Sequence, residues 1–526
     1  MDSSHFIHSR GGRIGGRADT GATGVDAIVA ALHADPRRHL VIHFHGGLVS
    51  KASGLDIADR LFADYSPSAS EGAYPVFYVW ESGAWETIRN NFTELADEPV
   101  FKQLLRKALQ YALEKLGGSV AAGAGVGRSI APGSVGSKES EVRHELEAFW
   151  AAPGKPTIPF RDLEPRATPA QARAAEAALD ENEIIAELEQ DGEFQRALAT
   201  LPDLPRSARS AFGAAGASEH RSAFAEMAAA EFSKTSRTRG LVELIQVARF
   251  LIKVTRAVLG RRAAGRDHGL YATCVEEIVR AFKVGGSGVH EWAQALEWNR
   301  MKQDVVDAFG PDPDRHAGTA LLARLGRALK NGMALDRITL VGHSTGAIYI
   351  AHWLAHSRDH LPEDFKQDVV FLAPAITYEL FADTVAKHAD RIGQFRMFAM
   401  HDALERDDQV WGGDEDLADS QDWRRFIYPS SLLYLVSGIL ERTADEPLLG
   451  MERFFTDTGT YGQAVDPALT SVDSVRAWLT DRPNALVWSK ADSTGPGLRS
   501  ASIDHGAFDN DAITRESLRH ILSSGF

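Results

Sequence analysis

Residues 337–347 read Arg-Ile-Thr-Leu-Val-Gly-His-Ser-Thr-Gly-Ala. The apolar, partly β-branched run Ile338, Leu340 and Val341 predicts a short buried strand, and residues 347–354 have helical character. Between them, Gly342-His343-Ser344-Thr345-Gly346 leaves no room for a loop. A strand that runs straight into a helix must turn sharply, and the turn crowds the backbone. Glycines two positions to either side of Ser344 relieve that crowding. The same turn lifts the serine hydroxyl clear of the backbone, above a helix N-terminus whose free N–H groups and dipole favour negative charge. A serine presented in this way becomes a nucleophile when a base reaches it.

The rest of the chain supplies the neighbours that such a strand needs. His39–Phe44 has the pattern of a buried strand and ends in His45-Gly46-Gly47. Residues 53–65 predict a helix and 74–80 a strand, with Pro75 at its start, where proline is tolerated. After the Ser344 turn, strands are predicted at 369–372, 395–400 and 485–488. Helices are predicted at 377–389, 429–441, 470–480 and 511–523. Strands alternating with helices imply an α/β fold with a mostly parallel sheet covered on both faces.

Two regions depart from this alternation. Residues 1–22 are rich in Gly, Arg and Ser and are expected to be mobile. Residues 83–330 read as a long helical insertion between the second strand and the Ser344 strand, leaving 23–82 and 331–526 as the α/β core. Within the insertion, residues 117–129 loosely suggest a phosphate loop. Ala122 stands where the first glycine belongs, Arg128 replaces the lysine, and no strand precedes it, so a small-residue loop or tight helix contact is expected. Residues 241–262 form an apolar helix with a basic stripe, read as a core helix of the insertion whose cations line its wet face. A lipase-type lid and an anionic membrane surface are the alternatives.

Composition excludes several classes. The chain has 526 residues, and its formal net charge of −15 argues against a general nucleic-acid binder. Cys274 is the single cysteine, which excludes an intrachain disulfide and a cysteine-based zinc site and fits a reducing compartment, the cytoplasm. No apolar leader and no run long enough for a transmembrane helix are visible.

A serine nucleophile needs a base, an acid that orients it, and donors for the oxyanion. His505, in Ser502-Ile503-Asp504-His505-Gly506-Ala507-Phe508, lies after the last predicted strand and before the last helix, as a loop-borne base would. The acid is less determined. Asp402, Glu405, Asp407 and Asp408 all follow the strand ending at Met400. Asp402 is preferred because it lies nearest the strand end, where side chains are best fixed. His45-Gly46-Gly47-Leu48 offers backbone N–H groups that a substrate oxygen can approach closely, and Thr345 N–H follows the nucleophile.

These motifs together resemble the serine esterase and lipase side of the α/β-hydrolase superfamily. The likeness rests on Gly-His-Ser-Thr-Gly, on the His-Gly-Gly loop, and on the order Ser344, acid, His505. It spans about residues 38–82 and 335–526. It implies a carboxylester or lipid-ester hydrolase working through an acyl-enzyme. Ser344, His505 and Asp402 would form the triad, Gly46, Gly47 and Thr345 the oxyanion hole, and neither cofactor nor metal would be required. Thioester or amide cleavage and acyl transfer remain open with the same triad. So does a regulated effector or scaffold whose insertion binds a partner, oligomerises or touches a membrane.

Overall fold

The computed structural model describes the chain apart from residues 48, 69–70, 82–91, 93, 117–134, 153–155, 163–168, 203–222, 233–240, 284–292, 411–422 and 492–494. The segment 117–129 therefore lies outside the described residues.

Seven strands form one sheet: β1 (Phe6–Arg10), β2 (His39–Phe44), β3 (Tyr74–Glu81), β4 (Arg337–His343), β5 (Gln367–Leu372), β6 (Ile392–Met400) and β7 (Leu486–Ser489). Their spatial order is β1-β3-β2-β4-β5-β6-β7, and every neighbouring pair is parallel. The alternation of side chains along each strand feeds two cores. Leu40, Ile42 and Phe44 of β2 enter one, with Ile338, Leu340, Val369 and Phe371. Val41 enters the other, with Val341, Val370, Leu372 and Phe398, under the helices Lys51–Tyr65 and Ala512–Ser524.

The first strand corrects the expectation of a mobile N-terminus over 1–22. Phe6–Arg10 pairs with β3 from Phe6↔Phe77 to Arg10↔Glu81. Ile7 is fully buried, and His8 Nε2 lies 2.8 Å from Glu81 Oε1. Five residues with only Phe6 and Ile7 apolar carry too weak a period to announce a strand. The sheet edge supplies the pairing that the local sequence does not.

The helical insertion is present between β3 and β4 and does not form a core of its own. Its buried side chains, among them Phe101, Leu104, Val247, Leu251 and Trp298, belong to one continuous cluster with the β2 and β4 residues above. The helix Leu241–Ala263 buries Val247, Leu251, Val254 and Val258 and leaves Arg249, Lys253 and Arg256 exposed. Its apolar face is already covered by protein, as the core-helix reading expected. Among the described residues no helix is long and apolar enough to cross a membrane.

After β2 the chain crosses to β3 on one side, then returns to β4 on the other. The carboxyl ends of β2 and β4 thus flank a topological switch point, where connections diverge and leave a crevice. His45-Gly46-Gly47 follows β2, and Ser344 follows β4.

Candidate active site

Ser344 leaves β4 at φ +53°, in the left-handed region that few residues other than glycine adopt. Neighbouring strands hold it there. Its N–H donates to the Leu372 carbonyl at 2.8 Å, and its carbonyl accepts from Ala375 N–H at 3.0 Å. The flanking glycines are needed for close approach. A Cβ on Gly342 would lie 2.7 Å from the Gly346 backbone, and one on Gly346 would run into the Phe44 backbone. The helix Gly346–His360 then starts directly under the serine.

The structure brings the sequence-selected base to this serine. His505 Nε2 lies 3.0 Å from Ser344 Oγ, 161 residues away in sequence, and both residues are buried. Burial, reinforced by the neighbouring His343, pushes the His505 imidazole down to about 3, so it is neutral and able to accept a proton. Its other nitrogen, Nδ1, has no hydrogen-bond partner among the described residues.

The four candidate acids separate by geometry. Asp402 Oδ1 accepts from the Tyr434 hydroxyl at 2.7 Å, and its own N–H donates to Glu452, so it is engaged away from His505. Glu405 is fully buried, and burial holds its carboxyl well above the usual range, which keeps it protonated. Asp407 is largely exposed and pairs with Arg161 at 2.9 Å. Asp408 reaches the base: its Oδ2 accepts the backbone N–H of His505 at 2.9 Å. The preference for Asp402 is thus not supported by the contacts. Asp402–Asp407 forms a short helix after β6, and its turns carry Asp402 toward Tyr434 while delivering Asp408 to the base loop.

A second buried histidine braces the first. His343, which precedes the nucleophile, donates through Nε2 to the His505 carbonyl at 3.0 Å. Its Nδ1 lies 3.7 Å from Asp509 Oδ2, an ion-pair rather than a hydrogen-bond distance. Burial works against charge on both groups, but each outweighs that penalty for the other: His343 is raised and Asp509 lowered. Pattern reading had no handle on this pair, since His343 occupies a position of the motif open to any residue.

The His-Gly-Gly loop lies beside the serine. A Cβ on Gly46 would be 3.4 Å from Ser344 Cβ. His45 clamps the loop, with Nδ1 donating to the Gly46 carbonyl at 2.6 Å and Nε2 accepting Trp80 N–H at 3.1 Å. The Trp80 indole N–H donates to the His45 carbonyl at 3.3 Å. Gly47 is roofed: a Cβ there would sit 2.6 Å from Thr345 Oγ1, 2.9 Å from the Trp80 ring and against Met301 Sδ. Met301 belongs to the insertion helix Ala293–Asp307. Thr345 Oγ1 is buried with no hydrogen-bond partner among the described residues. The Thr345 N–H lies at the start of the helix Gly346–His360, where first-turn amides lack an intrahelical acceptor. Leu48 lies outside the described residues. Among the described residues no three His, Cys, Asp or Glu side chains cluster as a metal site.

The chain matches no family model, no curated protein and no solved structure. The arrangement of its own residues therefore carries the functional argument.

Proposed function

We propose that the protein is a serine hydrolase that cleaves a carboxylester through an acyl-enzyme. The observation that carries this reading is the 3.0 Å approach of His505 Nε2 to the hydroxyl of Ser344, on a strained turn at the switch point of a parallel sheet.

In this reading Ser344 Oγ attacks the ester carbonyl while His505 Nε2 takes its proton. The proton then passes to the leaving alcohol. Water repeats the sequence on the acyl-enzyme, with His505 again as base. Asp408 is the orienting acid in place of Asp402. Of the four candidate carboxylates it is the one seen in contact with His505, through the backbone N–H. Its charge would stabilise the imidazolium that forms in the transition state. The N–H groups of Thr345 and of Gly46 or Gly47 would receive the oxyanion. The same groups serve thioester and amide cleavage and acyl transfer, and the buried site under Met301 favours a substrate that can be drawn out of water.

A small fluorophosphonate tests the reading. It should label the protein stoichiometrically at Ser344, and acyl esters of graded length should slow the labelling. A wild-type protein that takes up no label, or a Ser344→Ala variant labelled as fast as wild type, would refute it.

A further inference from the structure

A polar cavity of about 250 Å³ lies between the insertion and the α/β core, lined by Arg161, Arg262, His268, Asp402, Arg406 and Arg453 among others. That volume corresponds to roughly eight waters at about 30 Å³ each. His268 is 5% exposed, and neither ring nitrogen has a hydrogen-bond partner among the described residues. Its ring packs on Tyr434, with centroids 4.3 Å apart, and Nε2 is 3.5 Å from Glu276 Oε1. A buried imidazole with its donor unmet costs stability, and it is retained where something else accepts that bond.

The surrounding charges identify that acceptor. Burial first, and then Arg261, Arg453, Arg406 and Arg161, hold the His268 imidazole well below its ordinary range, so the ring is neutral. Four acids stand in the wall, and each has a partner: Asp267 pairs with Arg262 at 3.0 Å, Asp402 accepts from Tyr434, Asp162 pairs with Arg406 at 3.0 Å, and Asp457 accepts Thr460 N–H at 3.0 Å. The partners of the two remaining outer guanidiniums are surface groups. Arg406 pairs with Asp162, whose side chain is 76% exposed, and Arg161 with Asp407, 61% exposed, while the other terminal nitrogen of Arg161 donates to the Arg406 carbonyl. Pairs of this kind are worth little, so either guanidinium can turn inward at small cost. The chain as a whole carries −15, so anions do not gather on it non-specifically.

We propose that this cavity binds a small oxyanion, the phosphate or carboxylate group of a small molecule, held by a neutral His268 N–H donor and by the guanidiniums of Arg161 and Arg406. Arginine forks suit both anions, and a neutral imidazole adds a donor without the cost of a further buried charge. This site does not depend on the assignment of Ser344 as a nucleophile.

Calorimetric titration of the full chain with inorganic phosphate, and separately with succinate, at low ionic strength tests the proposal. At least one should bind saturably at a single site with a Kd of about 1 mM or tighter. Arg406→Gln and His268→Phe, checked for fold by circular dichroism, should each weaken it by about tenfold or more. If His268→Phe does not fold, Arg161→Gln, on a partly exposed side chain, takes its place. The proposal falls if neither anion saturates by about 10 mM, or if either folded variant binds within about twofold of wild type.

Discussion

The carboxylate of Asp408 accepts the backbone N–H of His505 at 2.9 Å, across 97 residues of sequence. With His343 donating to the carbonyl of the same residue, the base is held at both its N–H and its C=O. The side chain proposed to carry the proton is thus mounted on a backbone fixed from two sides. One support comes from the loop after β6 and the other from the residue before the nucleophile.

The first prediction separates the acids. Asp408→Asn should lower kcat/KM on a hydrolysed ester by about two to four orders of magnitude, because an amide leaves the imidazolium uncompensated. Asp402→Asn should stay within a few-fold of wild type, since its carboxylate serves Tyr434. Steady-state kinetics of the two variants decide it, and a severe loss in Asp402→Asn with Asp408→Asn intact would reverse the assignment.

The second concerns the reacting pair. Ser344→Ala and His505→Ala should each lose about three or more orders of magnitude, and the double variant should be no worse than either single one. Groups that act as one unit do not lose activity additively. Multiplicative losses in the double variant would show that the two do not share a step.

Much of this was legible because the relevant patterns are local. The strand of β4, its two glycines and the helix behind it lie within one segment, and so do β2 with its His-Gly-Gly end. His505 was legible from its place between the last strand and the last helix. The contact of Asp408 with the His505 backbone was not, because which of four nearby carboxylates meets that loop depends on how the helix Asp402–Asp407 turns, which the sequence of that loop does not announce. β1 was hidden for the opposite reason: its strand character comes from pairing with β3 rather than from its own residues. The contact of Met301 with the Gly47 loop joins positions far apart in the chain, and helical periodicity says nothing about which partner a helix meets.

The third prediction tests that contact. Met301→Ala should speed labelling of Ser344 by a bulky fluorophosphonate more than by a small one, because it removes the side chain that roofs Gly47. Gly47→Ala should do the reverse. Its methyl group meets Thr345 Oγ1, the Trp80 ring and Met301 at once, costing about 1–3 kcal/mol of stability by overpacking and disturbing the oxyanion loop. Adding Met301→Ala to Gly47→Ala should recover part of the stability. Equal labelling rates for both probes in Met301→Ala would place the roof away from the substrate path.

The last prediction concerns pH. Burial depresses His39, His43 and His505 to about 3 and His45 to about 4. Each is neutral in the folded protein but titrates near 6.5 when unfolded. The unfolded chain therefore binds more protons than the folded one below about pH 6.5, and stability falls as the pH drops from there toward 4. The slope is about 1.4 kcal/mol per pH unit for each such histidine. His343 has the opposite sign: its raised value gives stability that is present below about pH 6.5 and lost as the pH rises through its folded value. Stability should therefore peak near neutrality and decline steeply on the acid side. His39 lies at the start of β2, away from Ser344, and bonds Thr339 Oγ1 at 2.9 Å, a contact glutamine can replace. His39→Gln should reduce the acid-side slope by about 1.4 kcal/mol per pH unit while leaving catalysis unchanged. Urea unfolding measured from pH 7 to 4.5 checks both points. A flat profile over that range, or an unchanged slope in His39→Gln, would mean that these histidines are charged, or reach water, in the folded protein.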